Sequence, residues 1–415
     1  MRKNTASEIM LTLLLTSMLM LAFNIQPVKA SGIIYIRPDG SVEGTDKIQR
    51  DGDIYTFTDD IYDEIVVEKD NIVVDGAGYT VQGNQDGSGI GILLYDRNNV
   101  SITNTKIIDF SQGILLWSVT NSTLTGNNIT NNVNGIWIHW SSNNTVSRNN
   151  ITNNNCGIYV SGPSNNTLSR NSVTNNFGGI RLDYSSNNIL SENNVTANNW
   201  FGIDLLSSPD NILCRNKVTD NSWGIWLDSS SNNSISKNDI ENNTSFGVLL
   251  HSSPDNSISE NAMKNNGHGV YLYNSSNNII SENSMLGDNL INNSWYGISL
   301  LFSSNNVLAQ NNIRYNQHDG LWLFFSYNNS VSENYIESNN RFGVNLFLSS
   351  NNSISGNNIK DNEWMGMYTV GGSNNSISEN NIESNELYGG VVIIGSSGNS
   401  VFRNSITNLS LIHIS

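Results

Sequence analysis

The stretch GIWIHWSSNNTVSRNNITNN, residues 135–154, is the unit from which most of the chain is copied. The next copy, GIYVSGPSNNTLSRNSVTNN, begins at Gly157. The spacing between copies is 22 or 23 residues, except for 28 before Gly297 and 24 before Gly390. A fixed period in this range is the signature of a solenoid. The fourteen copies begin at Gly91, Gly113, Gly135, Gly157, Gly179, Gly202, Gly224, Gly247, Gly269, Gly297, Gly320, Gly343, Gly366 and Gly390.

The apolar residues of one unit alternate with polar ones, and positions are counted here from its first glycine. Ile136 and Ile138 stand at Gly+1 and Gly+3, Val146 at Gly+11 and Ile151 at Gly+16. Such alternation is typical of strands buried on one side, and the Ser, Asn, Gly and Asp residues between them favour turns. We therefore predict an all-β fold, a right-handed parallel β-helix of about fourteen coils. Stacked at about 4.8 Å per coil, these would span roughly 65 Å.

One polar position of the unit, Gly+14, is always Asn from the copy at Gly113 onward. Because it lies close to two inward-facing positions, we expect a sharp bend there, and Asn tolerates left-handed backbone better than most residues. Stacked amides can also donate to one neighbour and accept from the other. The column is interpreted as a structural asparagine stack. Its members are Asn127, Asn149, Asn171, Asn193, Asn216, Asn238, Asn261, Asn283, Asn311, Asn334, Asn357, Asn380 and Asn404.

The first thirty residues have the pattern of a secretory signal peptide. Arg2 and Lys3 precede an apolar run from 9 to 23, and the expected cleavage follows Ala30. The run is shorter than a comfortable membrane span. We therefore expect a secreted or cell-surface protein that meets a membrane only through this segment or through an anchor beyond the present C-terminus.

The rest of the chain divides into three parts. Residues 31–70 are expected to form an N-terminal cap and entry strands, because a bare solenoid end exposes core and unpaired backbone. Residues 71–408 are expected to form the β-helix, with a protruding loop at an insertion around 286–290. Residues 409–415 break the repeat halfway through a unit. They are interpreted as a non-native tail on a truncated chain.

The chain is acidic, with a formal net charge of −16. This argues against nucleic acid and anionic membrane surfaces as partners. The two cysteines, Cys156 and Cys214, occupy different sides of the coil, so no disulfide is predicted. No zinc-like spacing occurs, and the histidines are too far apart along the stack to share a metal. We predict no metal site and no cofactor, with a weak calcium site as the alternative.

All nine tryptophans lie between Gly−2 and Gly+5 of their units, so one face of the solenoid is rich in aromatic rings. Rows of rings suit the apolar faces of sugars. The alternative is that the rings stack on one another and stabilise the sheet. Trp226 is the preferred ligand contact. The candidate ligand-binding residues are Trp137, Tyr159, Trp223, Trp226, Tyr271, Trp322 and Tyr368.

Acidic residues cluster on the same face. Asp183, Asp204 and Asp228 come from three consecutive copies, and Arg181 stands beside Asp204. Asp183 and Asp228 stand at Gly+4 and Asp204 at Gly+2. Carboxylates on alternate coils would be about 9 to 10 Å apart, near the upper limit for an inverting glycosidase pair, and Asp204 would lie about 5 Å from its neighbours along the stack. These four are the candidate catalytic residues. The alternatives are a calcium site and ordinary surface charge. The histidines of this face, His268 among them, are interpreted as surface polar residues.

The repeats, of the form Gly-Ile-x-Leu, Ser-x-Asn-Asn-x-Ile-Ser and Asn-x-Ile-x-x-Asn, resemble those of the NosD-like right-handed parallel β-helix proteins. The segments IIYIRPDGSV (33–42) and IVVDGAGYTVQG (72–83) are similar to those that open secreted archaeal members of that group. The resemblance covers about residues 33–408 and implies the fold. For function it implies a range: copper delivery, surface proteins, and relatives of carbohydrate-binding, lyase, epimerase and hydrolase β-helices.

Two functions from different classes follow. The preferred one is a non-catalytic secreted or cell-surface protein that binds a polysaccharide or cell-envelope glycan, or forms part of an envelope. The alternative is a polysaccharide-active enzyme, a hydrolase, lyase or epimerase, with the acidic cluster as its site. A copper-related role ranks below both, because the sequence holds no Cys/Met/His cluster.

Overall fold

The computed structural model describes residues 32–84, 87–286, 295–387 and 389–407. The predicted signal segment, the insertion beyond Leu286 and the tail lie outside these residues. The described chain forms a right-handed parallel β-helix, as predicted, with three sheets that run along its length. No helix in this part of the chain is long and apolar enough to span a membrane.

The first sheet contains the strands that carry the repeat glycines or precede them in the stack. Its strands are Ile33–Ile36, Val42–Glu43, Glu64–Val67, Ile90–Tyr95, Gln112–Trp117, Asn134–His139, Cys156–Ser161, Gly178–Asp183, Phe201–Leu206, Trp223–Asp228, Phe246–His251, His268–Tyr273, Tyr296–Leu301, Leu321–Phe324, Phe342–Phe347, Met365–Val370 and Gly389–Ile394.

The second sheet is centred on Gly+11. Its strands are Ile48–Asp51, Ile54–Phe57, Ile72–Asp75, Val100–Thr103, Thr123–Thr125, Thr145–Ser147, Thr167–Ser169, Ile189–Ser191, Ile212–Cys214, Ser234–Ser236, Ser257–Ser259, Ile279–Ser281, Val307–Ala309, Ser330–Ser332, Ser353–Ser355, Ser376–Ser378 and Ser400–Phe402.

The third sheet is centred on Gly+16. Its strands are Thr80–Gln82, Lys106–Ile108, Asn128–Thr130, Asn150–Thr152, Ser172–Thr174, Asn194–Thr196, Lys217–Thr219, Asp239–Glu241, Ala262–Lys264, Ser284–Leu286, Asn312–Arg314, Tyr335–Glu337, Asn358–Lys360, Asn381–Glu383 and Ser405–Thr407.

Successive coils pair in parallel with equivalent residues side by side, so each position of the repeat becomes a column. At Gly+11, Val146 pairs with Leu168, Leu168 with Leu190, Leu190 with Leu213, and Leu213 with Ile235. All five are fully buried, which confirms the predicted inward column. The three sheets therefore enclose one continuous hydrophobic core, which consists mainly of aliphatic side chains.

The N-terminal end combines parallel and antiparallel pairing. Strand Ile33–Ile36 pairs in parallel with Glu64–Val67, which continues into the first sheet. The same strand pairs antiparallel with Val42–Glu43, and Ile48–Asp51 pairs antiparallel with Ile54–Phe57. The segment predicted to be the cap thus contributes parallel strands to the stack as well as two hairpins.

The repeat glycine is required by a close approach of backbones. A Cβ built on Gly135 would lie 2.6 Å from the carbonyl oxygen of Gly157 and 2.9 Å from Cγ2 of Ile151. Real side chains essentially never come so close to backbone, so only glycine fits while the next coil keeps its place. This contact explains why the unit begins with the same residue in every copy.

The Gly+14 asparagines form a buried ladder, as predicted. Asn193 Nδ2 donates to Oδ1 of Asn216 (2.9 Å) and to the carbonyl of Leu168 (2.9 Å), while its own Oδ1 accepts from the backbone N–H and Nδ2 of Asn171 (both 3.0 Å). The expected left-handed backbone, however, falls on the preceding residue, Glu192 (φ 57°). The bend is made there, which leaves the Asn side chain free to point inward.

Two further buried asparagine columns were not predicted. They stand at Gly+9 and Gly+19 and contain the same amide-to-amide hydrogen bonds, as between Asn233 and Asn256 or Asn176 and Asn198. Each corner of the coil therefore carries a ladder. The Gly+9 column includes Asn144, Asn166, Asn188, Asn211, Asn233, Asn256, Asn278, Asn306, Asn329, Asn352 and Asn375. The Gly+19 column includes Asn132, Asn154, Asn176, Asn198, Asn221, Asn243, Asn266, Asn316, Asn339, Asn362 and Asn385.

Candidate functional site

The outer face of the first sheet carries three columns of side chains, at Gly−1, Gly+2 and Gly+4. In the Gly+2 column Trp137 pairs with Tyr159, Tyr159 with Arg181, Arg181 with Asp204, and Asp204 with Trp226. The parallel register thus places aromatic and charged candidates in one row. Tyr271, Trp322 and Tyr368 continue it, and Trp223 flanks it at Gly−1.

The candidate rings pack closely against other aromatic rings. Trp137 stacks on Tyr159 with centroids 5.6 Å apart, and Trp223 meets Trp226 edge-on at 4.6 Å. Two more candidates stack on rings of the Gly−1 column: Trp322 on Tyr296 (4.9 Å) and Tyr368 on Phe342 (4.7 Å). All seven candidates are partly buried. These contacts stabilise the sheet and cover much of the ring faces.

The most exposed tryptophans of the described residues lie outside the Gly+2 column. Trp117 at Gly+4 is 42% exposed, Trp140 at Gly+5 is 59% exposed and Trp295 at Gly−2 is 57% exposed. These three were not among the predicted ligand contacts, because alternation alone does not separate a ring that lies between two neighbours from one that stands at the edge of the sheet.

Arg181 is the centre of the charged cluster. Its Nε donates to Oδ1 of Asp183 (2.9 Å), and its Nη1 lies 3.6 Å from Oδ2 of Asp204. Tyr159 donates its hydroxyl to Oδ2 of Asp183 (2.8 Å). Asp228 stands apart from this network, since its Oδ1 lies 3.0 Å from Nδ1 of His251. The Arg181 guanidinium thus pairs with two carboxylates, those of Asp183 and Asp204.

The three aspartates lie in two neighbouring columns of the first sheet. Asp183 and Asp228 belong to the Gly+4 column, with Leu206 between them, whereas Asp204 belongs to the Gly+2 column. Asp204 is also only 2% exposed, because the larger side chains on either side of it, Arg181 and Trp226, share its column. The cluster therefore consists of a half-buried ion pair, Arg181 with Asp183, and one buried carboxyl, that of Asp204 on the next coil.

Burial controls the protonation of this cluster. Burial raises the pKa of Asp204 to about 7. The positive charge of Arg181 lowers this pKa, whereas the negative charges of Asp183 and Asp228 raise it further. Burial and the hydrogen bond to Asp183 raise the pKa of Tyr159 to about 12. Within the described residues, Oδ1 of Asp204 and Nε1 of Trp226 are buried without a hydrogen-bond partner. Such atoms are uncommon in folded proteins.

A cleft of about 270 Å³ opens beside Arg181. Its size is close to the lower limit for small-molecule sites. Burial raises the pKa of the Cys156 thiol to about 12, so this cysteine is not a thiolate nucleophile; both cysteines are free, as predicted. The lining residues are Asn134, Asn155, Cys156, Tyr159, Phe177, Arg181, Asp183, Trp200 and Phe201.

A second cleft, of about 260 Å³, lies further along the face and includes His268 and Trp295. His268 is not the surface polar residue that was expected. It is stacked between Phe246 (5.2 Å) and Tyr296 (5.4 Å), and burial lowers its pKa to about 4. The aromatic neighbours on the preceding and following coils shield the imidazole from water.

One buried acid of this face was missed. Asp319 at Gly−1 accepts hydrogen bonds from Nδ2 of Asn345 (2.8 Å) and from the backbone N–H of Phe342 (3.3 Å), and burial raises its pKa to about 6. An Asp directly before Gly is typical of a turn, so the sequence carried no signal for burial. In the described residues no three His, Cys, Asp or Glu side chains come together in a group that could hold a metal ion.

A protein-family model described as "Periplasmic copper-binding protein (NosD)" matches residues 65–246, 224–287 and 247–414. No curated protein matches the chain significantly. Among solved structures, the A-module of the mannuronan C-5 epimerase AlgE4 of Azotobacter vinelandii is 13% identical, with a TM-score of 0.50; the match covers 84% of this chain and 91% of that one. The periplasmic alginate epimerase AlgG is 15% identical over 90% and 84%, with a TM-score of 0.41. At these identities the likeness concerns the fold.

Proposed function

The chain belongs to the NosD family, and from that premise we propose that it is a secreted or cell-surface β-helix that binds a polysaccharide on the outer face of its first sheet. The observation that carries the proposal is the cleft beside Arg181, in which aromatic walls and hydrogen-bonding groups stand together. A sugar presents an apolar ring face and a rim of hydroxyls, and this combination of groups suits both.

The regular spacing of the coils supports an extended ligand. Equivalent positions recur about every 4.8 Å along the axis, so a linear chain laid along the face meets similar groups repeatedly. A protein of the same fold, the A-module of AlgE4, is named for action on mannuronan. The fold is therefore compatible with a polysaccharide site, and the predicted signal segment and the periplasmic description of the family agree with a location outside the cytoplasm.

Copper is the ligand that the family description names, and the described residues do not fit a copper site. Their histidines, cysteines and acids form no group of three that could hold a metal. His268 is stacked between rings, and the Cys156 thiol is buried. Copper binding is therefore not part of the proposed function.

A second candidate function, a polysaccharide-active enzyme, has one observation in its favour. Asp204 is a carboxylic acid with a pKa near neutrality beside a second carboxyl, Asp183, and such a difference of environment can provide a general acid. A catalytic carboxyl must reach its substrate, however, and Asp204 is almost fully buried. Binding without turnover is therefore the preferred function.

The experiment that separates the two is a polysaccharide panel tested for binding and for turnover on the same protein. Binding is measured on a glycan array and by affinity electrophoresis. Turnover is measured as new reducing ends, as the ultraviolet absorbance of unsaturated sugars and, for epimerisation, by proton NMR. Binding without product supports the proposal, product formation supports the enzyme, and no binding to any polysaccharide contradicts both.

A further inference from the structure

Trp140, the most exposed tryptophan in the described part of the chain, has a backbone conformation that tryptophan seldom adopts. It follows strand Asn134–His139 at position Gly+5 and has a φ of 49°. Bulky residues in the left-handed region are uncommon and strained. The same column carries Ser207, Ser229 and Asn274 in other coils. A small polar residue therefore satisfies the turn, and the fold does not require an indole at this position.

The next coil provides a flat support for the indole. Gly162, the following residue of the same column, has a φ of 87°, and a Cβ built on it would lie 3.2 to 3.3 Å from three atoms of the Trp140 ring. A point so close to Cγ, Cδ2 and Cε2 together lies over the face of the ring. One face of the indole thus rests on the backbone of Gly162, and any larger residue there would displace it.

Among the residues that the structure describes, no other ring stacks on the opposite face. The aromatic neighbour of Trp140 is His139, which meets it edge-on at 6.2 Å and 85°. In the same column, Phe302 and Phe325 stack on each other at 5.6 Å and 16°, so each covers a face of the other. The residue before Trp140 in the column is the small Ser118. With 59% of the residue exposed, Trp140 presents a ring face to solvent.

Hydrogen-bonding groups lie two coils along from Trp140, on the coil that follows its support Gly162. Asp183 pairs with Ser161, the residue before Gly162, and Tyr184 follows Asp183 in the chain with 69% of its surface exposed. Tyr184 lies two coils from Trp140, about 10 Å along the axis. A carboxylate has about four acceptor positions, so Asp183 can accept from a ligand while it holds Arg181 and Tyr159.

We propose that the exposed face of Trp140 is a stacking subsite for a neutral pyranose ring, and that Asp183 and Tyr184 form hydrogen bonds with the hydroxyl groups of the bound sugar. This inference rests on the polysaccharide-binding function proposed above and assigns its main contact to a different residue from Trp226. A neutral sugar is favoured because the chain carries a net charge of −16 and the cation beside Asp183, Arg181, is already paired with Asp183 and Asp204. Apolar contact with the ring supplies affinity, and the hydroxyl contacts set the orientation.

The test is the variant Trp140→Asn, assayed with hydroxyethylcellulose, galactomannan and xylan. Asn suits a left-handed turn, so the variant should fold with an unchanged or higher melting temperature. Its affinity for the polysaccharide that the parent binds should fall about tenfold or more, as expected for the loss of one stacked ring. Tyr184→Ser should lower affinity less, and Tyr315→Asn, the matched loss of an exposed ring from a left-handed turn (φ 56°) at Gly+18, away from the first sheet, should leave it unchanged.

The outcomes separate this inference from the function on which it rests. If the parent binds and Trp140→Asn binds equally well, the subsite is wrong while polysaccharide binding stands. If the parent binds nothing in the wider panel, the proposed function fails. If Trp140→Asn keeps its glycan affinity but lowers the mass measured by analytical ultracentrifugation, the indole is a contact between copies of the chain, and the subsite is again wrong.

Discussion

Arg181 and Asp204 face each other across neighbouring coils, with 3.6 Å between Nη1 and Oδ2, and yet the carboxyl has a pKa of about 7. The loss of hydration at Asp204 therefore outweighs its attraction to the guanidinium. This agrees with the general finding that removing a charge from water can cost more than one ion pair returns. Arg181 is more exposed and pairs more closely with Asp183.

The raised pKa of Asp204 predicts a specific dependence of stability on pH. In an unfolded chain the carboxyl titrates near 3.9, so between about pH 4 and pH 7 the folded state binds more protons than the unfolded state. Its contribution to the free energy of unfolding then falls as the pH rises through this window, by at most about 1.4 kcal/mol per pH unit, and levels off above it.

The variant Asp204→Asn checks this through urea unfolding midpoints measured across the pH range. The variant should be more stable than the parent at about pH 8, and the difference should shrink toward about pH 5, where the parent carboxyl is protonated. The lowered pKa of His268 acts in the opposite direction, but it is common to both proteins and cancels in the difference. If the difference in unfolding free energy between the parent and Asp204→Asn did not change with pH, the raised pKa and the burial of Asp204 would be wrong.

Leu190→Asp should prevent folding. Leu190 is fully buried in the inward column between Leu168 and Leu213, and an unpaired carboxylate there has neither water nor a partner. Circular dichroism and thermal melting provide the measurement. The matched control is Ser191→Asp, one residue further on and facing outward, which should fold like the parent. A normal melting temperature for the Leu190 variant would show that the register is wrong.

Asn193→Ala should lower the free energy of unfolding by about 1–3 kcal/mol, because the amides of Asn171 and Asn216 both lose a buried partner. The control is Asn194→Ala on the exposed side of the neighbouring position, where a change within about 0.5 kcal/mol is expected. Urea denaturation of both variants measures the difference. Equal midpoints would mean that the ladder contributes nothing to stability.

Trp226→Ala should weaken polysaccharide binding and also lower stability by about 1–3 kcal/mol, since the ring packs against Trp200 and Trp223. The stability cost follows from the stacking of rings along the sheet, the alternative that the sequence left open. Asp204→Asn in the same assays distinguishes binding from catalysis: it should abolish any turnover if the acid is catalytic, and otherwise change affinity only slightly. Parent-like binding by both variants would exclude this part of the face.

The repeat predicts the fold well because each of its positions becomes a column with one environment. The inward aliphatic column and the Gly+14 ladder follow directly from it. The Gly+9 ladder does not, because two asparagines stand side by side in the motif, as at Asn143 and Asn144, and periodicity does not show which one points inward. The structure buries Asn144 and gives Asn143 the left-handed backbone.

The candidate site was less predictable, because burial on the outer face depends on which side chains happen to be neighbours. Asp204 looks like a surface charge in its own strand, and only the residues beside it in the column, Arg181 and Trp226, cover it. Neighbouring side chains likewise bury Asp319 and half-bury His268. The candidate site residues stand at positions that depart from the repeat, and the repeat carries no information on how these side chains shield one another.

The ladders also bear on how such a chain can change over generations. Each coil offers its neighbour the same amide donors and requires the same acceptors, as Asn171, Asn193 and Asn216 illustrate. Unequal recombination that removes or duplicates one whole unit would therefore rejoin matching surfaces, with every column continued across the junction. Length can vary in steps of one coil, while a group of residues that departs from the repeat on a few adjacent coils, such as the candidate site around Arg181, would be inherited or lost as a block.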